Sequence, residues 1–134
     1  MNEIFYENCI KNNFECVKFL IQEDGVDPSF KENETIKYVA IYGHTKIMKL
    51  LLQDPRVDPS VYDNYPVRIA CLHGHLEVVK LLLQDSRVDP SDCNNLCLLW
   101  SVQYNYSEII KLLLKDSRIK LEDSQRKYIE LLIQ

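Results

Sequence analysis

Three side chains able to bind a metal ion lie close together in the middle of the chain. Cys71, His73 and His75 form the pattern Cys-x-His-x-His. Ligands on a helix reach a common point from positions three or four residues apart, whereas side chains two residues apart point in different directions. The spacing therefore predicts structural roles for these residues and no metal site.

No other group of residues has the spacing of a catalytic site. Cys93 and Cys97 lie four residues apart without a second pair, and the chain has only 3 glycines, too few for a phosphate-binding loop. Asp27, Asp58 and Asp89 recur at equal intervals within a repeated tetrapeptide, which favours turn hydrogen bonds over acid–base catalysis. We therefore expect no enzymatic activity and no cofactor.

Amino-acid composition limits the classes of partner that the chain can bind and the cellular compartment in which it is expected. The 134 residues carry a net charge of −4, the wrong sign for a protein that binds nucleic acid through its phosphates. No apolar run is long enough to span a membrane, and the acidic N-terminus does not resemble a secretory signal. Five cysteines are an odd number. Reduced thiols are expected in the cytoplasm or nucleus, the location we predict.

An internal repeat of 31 residues organises the whole chain. The tetrapeptide Val-Asp-Pro-Ser begins at Val26, Val57 and Val88. Other residues recur with the same period, which makes a chance origin untenable. They are Asn2, Asn33, Asn64 and Asn95; Lys18, Lys49, Lys80 and Lys111; and Leu20, Leu51, Leu82 and Leu113.

Each repeat is predicted to contain two helices and a loop. In the third repeat, Asn64 is expected to cap a first helix that contains Pro66 in its first turn. A second helix follows over residues 77–83. Gly74 lies between the two helices and aligns with Gly43, Asn12 and Asn105. Glycine and asparagine tolerate the positive φ of a helix C-cap, so we expect a sharp turn there.

Register also separates core positions from solvated ones. Cys9 and Cys71 align with Ala40, and Cys16 aligns with Ile47, so these thiols are predicted to be buried. Trp100 aligns with Ile69 and is assigned to the core as well. Three of the four lysines in the row follow a glutamate by three residues, as Lys80 follows Glu77, which favours a solvated convex face over a stripe that binds an acidic partner.

The segment over residues 70–83, Ala-Cys-Leu-His-Gly-His-Leu-Glu-Val-Val-Lys-Leu-Leu-Leu, resembles the ankyrin repeat. The family pattern is Ala-Ala-x-x-Gly-His-x-Glu-Val-Val-x-x-Leu-Leu, and residues 43–52 match it more loosely. The resemblance implies an all-α, helix-turn-helix repeat solenoid with short connecting loops, or fingers. It also implies that His75, as the Gly-His histidine, hydrogen-bonds within its turn.

The register divides the chain into one domain, residues 1–134, with repeats at about 1–31, 32–62, 63–93 and 94–121 and a C-terminal capping helix at 122–134. Ankyrin units usually have about 33 residues. The shorter unit lacks a glycine-containing tip, which predicts short fingers. This variant resembles the arrays of large DNA viruses of amoebae. A viral origin would place the chain in the cytoplasm or nucleus of a host cell.

The family resemblance implies that partner proteins bind across the finger tips and the exposed ends of the first helices. Aromatic residues among these positions are typical of protein-binding hot spots. We therefore expect an interaction module that binds a cellular or host protein, as a monomer, without nucleic acid or membrane. The predicted contact residues are Phe30, Lys31, Ile41, Tyr42, Val61, Tyr62, Asp63, Leu72, His73, Asp92, Asn94, Gln103 and Tyr104.

Two alternatives remain open at this point. Tyr128, Ile129, Leu131, Leu132 and Ile133 give the tail a strongly apolar helix, and solenoids normally need polar caps. The chain would then self-associate through its C-terminal end face. By analogy with viral ankyrin arrays, the second alternative is a substrate-recruiting adaptor of a ubiquitin-ligase assembly.

Overall fold

The computed structural model describes residues 1–133, and over these residues the chain is α-helical without a strand. Helices pair along the chain as first and second members of a repeat. First helices stack on first helices, and second helices stack on second helices, so two layers run through the solenoid. The predicted all-α repeat fold is confirmed. The helices are α1 (Asn2–Ile10), α2 (Phe14–Leu20), α3 (Phe30–Tyr42), α4 (Thr45–Gln53), α5 (Val61–Leu72), α6 (Leu76–Leu83), α7 (Asp92–Gln103), α8 (Ser107–Lys115) and α9 (Asp123–Ile133).

Burial follows the 31-residue period. One row runs through the first helices and a second row through the second helices, and every member is at most 6% exposed. Each such side chain stabilises the fold by about 1.5–3 kcal/mol relative to an exposed one, so these rows form the core. The first row is Phe5, Ile36, Val67, Leu98 and Ile129, and the second is Val17, Met48, Val79 and Ile110.

The turn between paired helices is left-handed, as the sequence predicts. Asn12, Gly43, Gly74 and Asn105 have φ angles of 60°, 71°, 71° and 59°. The residue after each one begins the approach to the second helix, for example His75, whose N–H donates to the Ala70 carbonyl at 2.9 Å. These turns set each helix pair side by side.

The fingers are short and depend on the recurring aspartates. The carboxylate of Asp58 accepts a hydrogen bond from the Ser60 N–H at 2.9 Å, and Asp27 and Asp89 do the same with the serines two residues later. The aspartates thus have the turn-forming role expected of them. Three consecutive residues of each finger tip then adopt positive φ, for example 54°, 53° and 59° at Tyr62, Asp63 and Asn64.

The predicted helix cap at Asn64 is wrong. Its side-chain oxygen accepts a hydrogen bond at 2.8 Å from the N–H of Asp89, in the next finger. Asn33 and Asp58 repeat this arrangement at 2.8 Å. Because the left-handed tip turns the asparagine away from its own helix, its side chain links successive repeats.

Arginines add a second link between neighbouring repeats. Arg87 binds the carboxylate of Asp85 through Nε and Nη2, at 3.0 and 2.8 Å, and its Nη1 donates to the Val57 carbonyl at 2.7 Å. Arg56 and Arg118 make the equivalent contacts in their repeats. The guanidinium holds the pKa of the Asp85 carboxyl below its usual value through these hydrogen bonds, against an opposing effect of burial.

A third link replaces the contact expected of His75. Its Nε2 donates to the Ile41 carbonyl at 2.8 Å, one repeat earlier, and not to a group in its own turn. His44 reaches Ile10 at 3.0 Å in the same way, and Tyr106 reaches Leu72 at 3.2 Å. The ring crosses the neighbouring turn closely, because a Cβ at Gly43 would lie 2.5 Å from Nδ1 of His75. We call these three contacts the ring latches.

The repeat pattern changes at both ends of the described chain. Cys16, predicted to be buried, is exposed on a face of α2 against which no described helix packs. At the other end, Ile129 is 3% exposed and attaches α9 to the array, while Leu131 is 72% exposed. The predicted capping segment 122–134 includes Gln134, which lies outside the described residues.

Candidate protein-binding surface

The predicted contact residues lie along one side of the solenoid, on the fingers and at the C-terminal ends of the first helices α3, α5 and α7. We call this set the finger–helix surface. Its exposed members are Lys31, Tyr42, Tyr62, Asp63, His73, Asn94, Gln103 and Tyr104. Their recurrence at the same register means that one elongated surface, rather than a closed pocket, displays them.

Three tyrosines supply the largest exposed apolar area on this surface. Tyr42, Tyr62 and Tyr104 have 51%, 45% and 51% of their surface exposed. Tyr42 and Tyr104 stack on the ring-latch residues His44 and Tyr106, with ring centroids 5.7 and 5.9 Å apart. Because stacking restricts ring motion, little conformational freedom remains to be lost when a partner binds.

Other predicted residues are half-buried and have a structural contact. Ile41 and Leu72 pack on the core and supply the carbonyl groups that accept the ring latches. Val61 also packs on the core, and Phe30 lies beneath the Lys31 ammonium at 5.4 Å. The carboxylate of Asp92 accepts a hydrogen bond from Asn64 Nδ2 at 2.9 Å.

Tyr6 and Tyr38 form an aromatic cluster with Tyr42 next to this surface, and neither is among the predicted contact residues. Tyr38 meets Tyr6 edge-on at 6.1 Å and stacks on Tyr42 at 6.4 Å. The Lys37 ammonium lies 5.1 Å from the Tyr38 ring and 5.4 Å from the Tyr62 ring. The first-helix register could have found Tyr6 and Lys37, which share one position of the repeat.

The assignment of Trp100 to the core is wrong. Trp100 is only half-buried, on the wall of a groove between α7 and α9. The aligned Ile69 is 8% exposed because α7 covers it, whereas α9 covers Trp100 less completely.

The cysteines and histidines first considered for metal binding have separate surroundings. Cys71 is buried, His73 is exposed, and the His75 ring is engaged in its latch. Within residues 1–133 no three His, Cys, Asp or Glu side chains gather in a group able to hold a metal ion. Burial raises the pKa of the Cys9 thiol to about 12, which disfavours the nucleophilic thiolate.

The fold and the surface define the class of protein, which is a helical repeat solenoid that displays variable side chains on a regular scaffold. A family model described as ankyrin repeats, in three copies, matches residues 56–123, half of the chain, and the protein belongs to the ankyrin repeat family. No curated protein matches the chain. Ankyrin repeats are generally protein–protein interaction modules. None of the described helices is both long and apolar enough to cross a membrane.

Proposed function

We propose that the chain binds another protein through the finger–helix surface, without catalysing a reaction. The observation that carries this proposal is the row of half-exposed tyrosines, Tyr42, Tyr62 and Tyr104, mounted on a frame that repeats every 31 residues. Tyrosine joins a large apolar ring to a polar hydroxyl, and such residues dominate protein-binding hot spots.

Rigidity supports the same proposal. Asparagine, arginine and ring-latch contacts join successive repeats, so the spacing between the three tyrosines is set before a partner arrives. A preformed surface avoids the free-energy cost of ordering loops on binding. We therefore expect a protein partner that is folded or becomes ordered along several repeats.

Affinity capture with matched variants tests the surface. A chain carrying Tyr42→Ala, Tyr62→Ala and Tyr104→Ala would be compared with the native chain and with Phe19→Ala. Phe19 is 65% exposed on α2, away from the finger–helix surface, and controls for the loss of an exposed ring. A prey protein retained by the native chain and the Phe19 variant but lost by the triple variant supports the proposal. Identical prey for all three contradicts it, provided circular dichroism shows equal folding.

Self-association through the C-terminal end is a second candidate. Leu131, Leu132 and Ile133 are 72%, 50% and 52% exposed, which gives α9 an uncovered apolar face. Light scattering coupled to size-exclusion chromatography separates the candidates. A dimer that Leu132→Glu converts to a monomer supports self-association, and a monomer at every concentration rules it out.

The remaining parts of the proposal concern context. We place the chain in a reducing compartment, the cytoplasm or the nucleus, where its free cysteines would stay reduced. A host protein as partner, and recruitment of that partner to a ubiquitin ligase, are narrower versions of the same binding function. The prey identified by affinity capture would distinguish them.

A further inference from the structure

A groove of about 440 Å³ separates α7 from α9 on the first-helix side of the solenoid. Its floor and one wall are apolar side chains of α7, and its rim carries neutral polar groups. The groove is lined by Leu96, Leu99, Trp100, Gln103, Ser124, Gln125 and Tyr128. Most of these residues lie outside the finger–helix surface.

A large residue lines the groove at a register position where the inner repeats have smaller, buried ones. Tyr128 occupies the register position of Thr35, Pro66 and Cys97, which are all buried. The Tyr128 ring is larger than these side chains, and 49% of its surface is exposed. Its ring then forms the wall opposite Trp100.

Hydrogen bonds tie α9 to the finger of the preceding repeat. Gln125 donates from Nε2 to the Asn94 carbonyl at 3.0 Å and accepts from Asn95 Nδ2 at 3.2 Å. The side chain of Ile129, also on α9, is buried. The groove is therefore a built feature of the helix packing, open to a side chain from outside.

A cation stands one repeat before the groove, on α5. Arg68 precedes the groove residue Leu99 by one repeat, and its guanidinium lies 5.5 Å from the Tyr65 ring. Its Nε and Nη2 donate to the carbonyls of Asp63 and Tyr62, at 3.0 and 3.1 Å. Among residues 1–133 it makes no ion pair, whereas the neighbouring Lys37 is paired with Glu34 at 3.6 Å.

We propose that the groove binds an extended segment of the partner that carries a bulky apolar side chain and, about four residues away, a carboxylate that pairs with Arg68. Neighbouring first helices lie roughly 8–10 Å apart, so the groove beyond α7 lies roughly 12–15 Å from α5. An extended chain advances about 3.3 Å per residue and covers this distance in about four residues. Glu130 follows Leu99 by one repeat on α9 and disfavours an acidic residue on that side. The inference rests on the proposed function and specifies the chemistry of its partner.

A displayed library of random 12-residue peptides, selected on the full chain, tests this inference. Enriched peptides should combine a bulky apolar residue with Asp or Glu about three to five positions away. A synthetic copy should shift the emission of Trp100 to shorter wavelength, because the groove loses water. Trp100 is the only tryptophan of the chain, so the signal reports on the groove itself.

Variants of Arg68 test the charge. Arg68→Ala should weaken binding of the synthetic peptide about tenfold or more, the size of a charge-assisted hydrogen bond, while Lys80→Ala on α6 should not. Arg68→Glu should abolish binding, and a peptide with lysine in place of its carboxylate should restore it. That rescue separates charge pairing from damage to the finger, whose carbonyls Arg68 also binds.

Three results would overturn the inference: no enriched peptide, enriched peptides without the apolar and acidic pair, or binding that leaves Trp100 emission unchanged. Peptides that ignore Arg68→Glu but are lost on the triple tyrosine variant would overturn it while supporting the proposed function. The two proposals therefore fail separately.

Discussion

Replacing Gly43 by alanine tests whether the ring latches hold the repeats together. Gly43 has a φ of 71°, and an added Cβ would lie 2.5 Å from Nδ1 of His75. The substitution therefore has two costs. The left-handed conformation costs an alanine about 1–2 kcal/mol, and displacing the ring loses a hydrogen bond of about 0.5–1.5 kcal/mol. Because an alanine also reduces the freedom of the unfolded chain, which offsets part of the strain, we expect a net loss of about 1.5–2.5 kcal/mol in the free energy of unfolding.

Gly25 is the matched control for the backbone cost. Its φ is 87°, and no atom lies within 4 Å of an added Cβ. Gly25→Ala should therefore lose only about 1 kcal/mol, since the reduced freedom of the unfolded chain offsets part of the strain. The difference between the two glycine variants measures the contribution of the latch.

Urea unfolding, followed by far-UV circular dichroism and by Trp100 emission, gives the free energies. Coincident curves justify a two-state analysis. A double-mutant cycle with His75→Ala isolates the latch, because Gly43→Ala should then cost no more than Gly25→Ala. Equal losses for Gly43→Ala and Gly25→Ala in the native background would refute the reasoning.

Three further predictions concern stability. Arg87→Ala should lower the unfolding free energy by about 1 kcal/mol at pH 7, a value reduced by the partial exposure of the ion pair. The folded pKa of Asp85 is lowered, so this difference should be full above the unfolded value of about 4 and shrink as pH falls below it, which urea titrations at several pH values would show. Glu32→Gly should stabilise the chain by roughly 0.5–1 kcal/mol in thermal unfolding, because Glu32 has a φ of 54°, whereas Glu32→Ala should not. The Thr35 hydroxyl is buried without a hydrogen-bond partner among residues 1–133, so Thr35→Val should raise the unfolding free energy by about 1 kcal/mol, and a loss of stability would contradict that.

Much of the fold is predictable because the same residues recur every 31 positions. A position that is apolar in every repeat must face a neighbouring repeat, which identifies Val67 and Leu98 as core without any structure. Glycine and asparagine at one register position likewise indicate the left-handed turns. These inferences depend on local chemistry repeated along the chain.

Contacts between repeats are harder to predict, because they depend on where the chain turns in space. Asn64 has the residue type of a helix cap, yet the left-handed finger directs its side chain to the next repeat. No glycine occurs in that finger, so only its asparagine and aspartate residues indicate the left-handed conformation, and they indicate it weakly. Tyr106 makes the same hydrogen bond to the preceding repeat as His75, but through a hydroxyl instead of an imidazole. The aligned residue types alone do not reveal this equivalence.

Trp100 shows why register is a poor guide near the end of an array. The aligned Ile69 is covered by α7, the first helix of the following repeat, and equal burial of Trp100 would need the same cover from α9. Between α7 and α9 a groove remains, and the predicted core residue Trp100 lines it together with Tyr128. The candidate site therefore includes a part that only the structure displays.

Hydrogen–deuterium exchange of the captured complex tests the central claim most directly. It compares backbone protection in the free chain and in the chain bound to its partner, peptide by peptide. We predict new protection in the fingers and first helices, over residues 30–42, 61–73 and 92–104, with little change in α4, α6 and α8. Protection confined to those second helices, or to residues 131–133, would contradict binding through the finger–helix surface.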